Sequence, residues 1–203
     1  AAGREASDLA GFVKIAGGAA SAGVGGDVEL LSGASADSHS GSLALGTADA
    51  AATAAQSGGL TISTGSSKEG ASGAVEVKAG SAEAGAGGAV RITAGSGRTA
   101  GELSLSAGSS TSSTGGDVAI SSGAGAGEFA SGDMRLSTSS SGSHGGSGEV
   151  VLSSGDASMG PVGAVRVLGG QGLQSSGGDV EVLAGSGGQT GGDVMMSAEI
   201  GRA

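Results

Sequence analysis

The stretch Gly177-Gly178-Asp179-Val180-Glu181-Val182-Leu183-Ala184-Gly185 carries the pattern that decides the fold. Val180 and Val182 alternate with Asp179 and Glu181. On an extended backbone the two valines share one face and the two acids the other. The phrase Gly-Gly-Asp-Val recurs at Gly25–Val28, Gly115–Val118 and Gly191–Val194. Taking the first aliphatic of each such unit as a marker gives Val13, Val28, Leu43, Leu60, Val75, Val90, Leu103, Val118, Met134, Val150, Val165, Val180 and Val194. Successive markers lie 13 to 17 residues apart, most often 15.

Positions counted from the marker form columns. At +2 all 13 residues are aliphatic, from Ile15 and Leu30 through Val182 to Met196. At −2 all 13 are Gly, among them Gly26, Gly73, Gly88, Gly116 and Gly178. At +5, 10 of 13 are Gly. Position +4 is always Ala, Ser, Thr or Gly. A disordered linker has no reason to hold such phases. Each unit reads as a short strand, a sharp Gly corner, a short polar return leg and a second Gly corner. The corner glycines suit a positive φ or a close backbone approach.

The fold expected from this is all-β: a parallel β-solenoid (β-helix) of about 13 coils, roughly 15 residues each, stacked through parallel strand hydrogen bonds. The return legs are small and polar, so the coil should be flattened around a thin core. At roughly 4.8 Å per coil the stack would be a rod of about 60 Å. Ala48–Ser57 and Ser137–Ser147 should bulge as loops from the return side. Residues 1–203 read as one solenoid segment. Ala1-Ala2-Gly3 matches the strand exit Lys78-Ala79-Gly80, and Gly201-Arg202-Ala203 stops within a return leg. Neither end reads as a cap, so the segment is expected to belong to a longer array.

Composition agrees with a small-residue repeat. Of 203 residues, 47 are Gly and 36 Ser, with two Phe, one Pro, and no Trp, Tyr, Cys or Asn. Average Gly usage is about 7%. This excludes an aromatic-centred core, a disulfide scaffold, a thiolate metal site and an N-linked glycan acceptor; one Pro excludes collagen. No apolar run approaches the roughly 20 residues of a membrane span. The net charge of −10, without a basic patch, repels nucleic acid.

The residue before the marker is acidic in seven units, and Glu102, Asp117, Asp133 and Glu149 fall in consecutive ones. Stacked coils would space them about 4.8 Å apart. One reading is a ladder of Ca²⁺ sites, because hard cations take carboxylate oxygens. The likeness to calcium-binding β-roll repeats is superficial, since those have a nine-residue period. The preferred reading is that the acids accept backbone hydrogen bonds at corners. No other cofactor is implied. At +1, neighbouring units offer opposite charges: Lys14 and Glu29, Glu76 and Arg91, Arg166 and Glu181. These would select register between coils.

Catalysis finds little support. His39 and His144, the only histidines, lie seven units apart. Asp37-Ser38-His39 has the letters of a triad, but sequence neighbours are not oriented as one. Phe12 and Phe129 cannot line a sugar-binding groove of the kind used by polysaccharide-acting solenoid enzymes. The Gly-rich Gly85–Gly88 precedes no helix and lacks a phosphate-loop Lys. Ice binding would want a Thr column, and the +1 column has only Thr61. Ser109–Thr114 and Ser137–Ser143 are possible O-linked glycan carriers.

The Gly-Gly-Asp-Val-x-aliphatic unit with Gly/Ser legs resembles the Gly/Ser-rich parallel β-solenoid repeats of extracellular fibrous proteins. Examples are algal and protist surface filaments such as flagellar hairs, and long bacterial adhesins. The resemblance runs from about Gly11 to Ala198. It implies a non-enzymatic structural role outside the cell or at its surface, as a rod or filament segment. Copies would join end to end or laterally, with no membrane insertion. The alternative is a ligand-binding solenoid, either a Ca²⁺-dependent adhesin or an ice-binding protein.

Overall fold

The 15-residue repeat appears in the backbone as a series of closed loops. The structure, a computed structural model, describes residues 11–198. The phases noted for Ala1–Gly3 and Gly201–Ala203 lie outside the described residues. The chain divides into two units, Ala1–Leu103 and Ser104–Ala203. Both are built alike. Between every two consecutive markers the chain turns sharply once, as at 21–23, 36–38 and 68–70 in the first unit and 111–113, 158–160 and 173–175 in the second. No turn interrupts the stretch from −2 to +5 in any described repeat.

One hydrogen bond recurs across these turns. The −2 glycine N–H donates to the +5 glycine carbonyl of the preceding repeat. In the first unit the pairs are Gly26 to Gly18, Gly41 to Gly33, Gly88 to Gly80 and Gly101 to Gly95, at 2.8–2.9 Å. In the second they are Gly116 to Gly108, Gly132 to Gly123, Gly178 to Gly170 and Gly192 to Gly185, also at 2.8–2.9 Å. Each leg is therefore pinched at its neck. Gly73 lacks this bond but keeps the approach: a Cβ there would lie 3.5 Å from Thr64 Cγ2. Where Ala48 and Ser139 replace the +5 glycine, no such bond forms.

This neck overturns the parallel β-solenoid. In a solenoid coil the return leg carries the chain back along the strand. The +5 glycine and the next −2 glycine would then lie at opposite strand ends, about 23 Å apart for seven steps of roughly 3.3 Å. Here they share a hydrogen bond. The leg closes on itself, and the next extended segment starts where the last one ended. Among the described residues there is no β-strand and no helix, because each neck supplies one rung and no ladder follows it. The β-helix stack and its coil-to-coil hydrogen bonds are absent with it.

The thin core is absent as well. No described residue is buried, and Ala94 alone is less than fully exposed in class. The chain of 18.3 kDa exposes 20464 Å². A folded globular chain of that mass exposes about 8,100 Å² and its extended form about 26,500 Å². Closing a leg with one bond brings backbone together at the neck and leaves the aliphatic side chains uncovered.

The two Gly columns are not equivalent corners. A Cβ at −2 would meet a neighbour within 4 Å in 11 of 13 repeats: Ala79 Cβ at 3.1 Å from Gly88, Ala107 Cβ at 3.5 Å from Gly116, and the backbone N of Gly18 and Gly170 at 2.8 and 3.3 Å from Gly26 and Gly178. At all 10 glycines of the +5 column a Cβ meets nothing within 4 Å. Nor do the columns supply positive φ. Gly23 (φ 106°) and Gly127 (φ 60°), which do, sit within the legs. The chain reverses in the leg, and the −2 column is tight because the neck closes there.

Two outcomes follow. Gly88→Ala should cost the neck its hydrogen bond, lowering amide-exchange protection at residue 88 by about tenfold, whereas Gly80→Ala should leave it unchanged. Equal effects of the two would contradict the asymmetry. With nothing buried, dilute single chains should show no cooperative heat-absorption peak in scanning calorimetry; a sharp endotherm at high dilution would count against an uncored chain.

Candidate functional site

The repeated extended segment is the one surface that every unit presents. Its face assignments follow from two ion pairs. Lys78 Nζ lies 2.7 Å from Glu76 Oε1, and Arg135 Nη2 lies 2.5 Å from Asp133 Oδ2. Each joins residues two apart, which requires alternate side chains on the same side of an extended backbone. Positions −1, +1 and +3 thus share a polar face, and 0, +2 and +4 the opposite one.

On that opposite face the marker and +2 aliphatics stand exposed. In 11 of 13 repeats the +2 residue is more exposed than its marker, as with Val165 at 48% and Val167 at 67%. The marker sits nearer the closed neck and gains cover from it. At +4 the small residues fill a specific role. Ser32 Oγ donates to the Gly41 carbonyl at 2.9 Å, and Ala79 and Thr64 face the −2 glycines across the neck. At Gly17 and Gly169 a Cβ would collide with the carbonyl oxygens of Gly26 and Gly178. The invariably small +4 residue was visible in the sequence, where it read as a minor core position.

The charged columns are arranged differently from the expectation. Glu76 is paired with Lys78 of its own segment, two residues on, in place of the anticipated Arg91. Asp133 is held by Arg135. These pairs are exposed and worth less than about 1 kcal/mol each. Glu102 lies in the first unit's stretch, and Asp117, Asp133 and Glu149 lie in the second. All four are exposed. Among the described residues no three His, Cys, Asp or Glu side chains converge. The 4.8 Å spacing foreseen for the ladder rested on stacked coils, which the chain does not form.

His39 and His144 are exposed and belong to different units. Ser143 Oγ lies 3.0 Å from His144 Nδ1. Among the described residues there is no pocket. No helix is long and apolar enough to cross a membrane. The Ser-rich legs use their hydroxyls locally: Ser110 Oγ accepts from the N–H of Ser113 at 2.9 Å, Ser35 Oγ from Ser38 and Ser67 Oγ from Gly70, both at 3.0 Å. Such side-chain turns tighten the legs without any ligand.

No protein family, curated protein or solved structure matches this chain.

The acidic column yields a direct test. Calcium titrated at physiological ionic strength should give no saturable heat, and Asp133→Asn should leave the trace unchanged. Saturable heat that disappears in the variant would establish a cation site.

Proposed function

We propose that this chain is a structural, non-enzymatic repeat protein that assembles with further copies into a filament outside the cell or at its surface. The observation supporting this is the aliphatic face itself. Thirteen repeats each present a marker and a +2 aliphatic, and one chain alone leaves them exposed. Contiguous apolar exposure on this scale marks an interaction surface. A small-molecule ligand would instead call for a concave, partly polar site.

The repeat suits assembly in a second way. Intervals of 13 and 16 residues close with the same bond: Gly101 to Gly95 and Gly132 to Gly123 are both 2.9 Å. Insertions are absorbed by the leg, so every repeat offers the same neck and the same aliphatic pair. The resemblance to Gly/Ser-rich fibre repeats points to the same role and to an extracellular setting. The exposed Ser/Thr legs Ser109–Thr114 and Ser137–Ser143 would carry any O-linked sugar away from the aliphatic face.

Charge sets the conditions. A net charge of −10 opposes association, and salt screens it over about 8–10 Å at physiological strength. Assembly should therefore strengthen as salt rises. Analytical ultracentrifugation should show mass growing with protein concentration and with salt, and electron microscopy should show filaments. A monomer at every concentration and salt level would overturn the reading.

A further inference from the structure

We propose that copies of this chain pair edge to edge along their extended segments, in parallel and displaced by one repeat. This rests on the assembly reading above and deepens it by naming the surface and its register.

The first observation is unpaired backbone. Among the described residues, no N–H or C=O from −1 through +4 takes part in a backbone–backbone hydrogen bond. The necks use only the −2 N–H and the +5 carbonyl. Each extended segment thus offers open edges, which are templates for pairing with another chain. The single chain cannot use them on itself, because its legs close at the neck and never bring one segment alongside another. The pairing is between chains and builds no coil within one.

The second observation selects the occupant. A partner must present aliphatics at alternate positions, then a gap, then the same again. A second copy does so, and its legs fold away at necks of equal width whatever their length. Edge pairing lays marker beside marker and +2 beside +2, so the aliphatic face widens with each copy. The exposed area exceeds the globular value for this mass by far more than the roughly 1,600 Å² of a standard interface.

The third observation sets the register. With no displacement, every charged +1 residue would face its own like charge: Lys14, Glu29, Glu76, Arg91, Arg135, Arg166 and Glu181. A displacement of one repeat removes all of these clashes within either unit. It sets Lys14 against Glu29 of a second copy, Glu76 against Arg91 and Arg166 against Glu181. Laterally opposed unlike charges favour pairing, and like charges oppose it. Glu76 is shared with Lys78 of its own chain through Oε1. The acidic −1 column still meets itself, as with Asp117 against Asp133. That repulsion is what salt would relieve.

The chain has no Cys, so single-cysteine variants give a clean test. Ser104→Cys and Ala119→Cys stand at neighbouring +1 positions of one unit. Mixed in equal amounts, assembled at raised salt and treated with a short thiol-to-thiol cross-linker, they should give crossed dimers severalfold in excess of either like-with-like dimer by mass spectrometry. Predominance of like-with-like dimers, or a statistical mixture, would overturn the displaced register while leaving assembly intact. Sedimentation of the unmodified chain, run in parallel, separates the two cases. If it stays monomeric and no dimer is trapped, assembly and register both fall.

Discussion

The bond from the −2 glycine N–H to the +5 glycine carbonyl is the constraint on which the rest of the structure depends. It costs the chain little: one leg of about six to nine residues is closed, with modest loop entropy. It is a weak interaction taken singly, worth about 1 kcal/mol net. Repeated in both units, it turns a Gly-rich polymer into a series of equal modules. The small +4 residue and the absent Cβ at −2 are conditions for that bond, since a side chain there would hold the two backbones apart.

What the neck does for order it does not do for burial. Closing each leg on itself consumes the residues that could have covered the aliphatic pair. The marker gains partial shelter from the neck, and the +2 residue very little. The hydrophobic effect, which ordinarily dominates folding, remains almost unspent within one chain. The module is stable in pattern and incomplete in packing, and completion by other chains follows from that imbalance.

Electrostatics acts on association more than on conformation. The two ion pairs are local, two residues apart and fully in water. The acidic −1 column adds to a net charge of −10. Such a surface keeps single chains apart at low salt and permits contact where counterions are plentiful. The mixed +1 column discriminates between alignments, because a like-for-like match is unfavourable and a shift of one repeat is not.

The sequence by itself determined the module: its period, its boundaries, the two aliphatics on one face and the glycines that punctuate it. Alternation and the Gly columns are local properties, so they are legible without coordinates. Val180 and Val182 share a face in the structure for the reason visible in the string. The destination of the return leg was not legible. Gly-Ala-Gly-Ala-Gly at 123–127 is equally compatible with a strand that runs back and with a loop that closes. Small residues impose neither, and no large side chain in the leg demands a partner. Only the tertiary structure decided it, by placing Gly178 against Gly170 within a hydrogen bond. That one distance replaced a stacked solenoid with a chain of pinched loops, and moved the burial of the aliphatic face from within the chain to between chains.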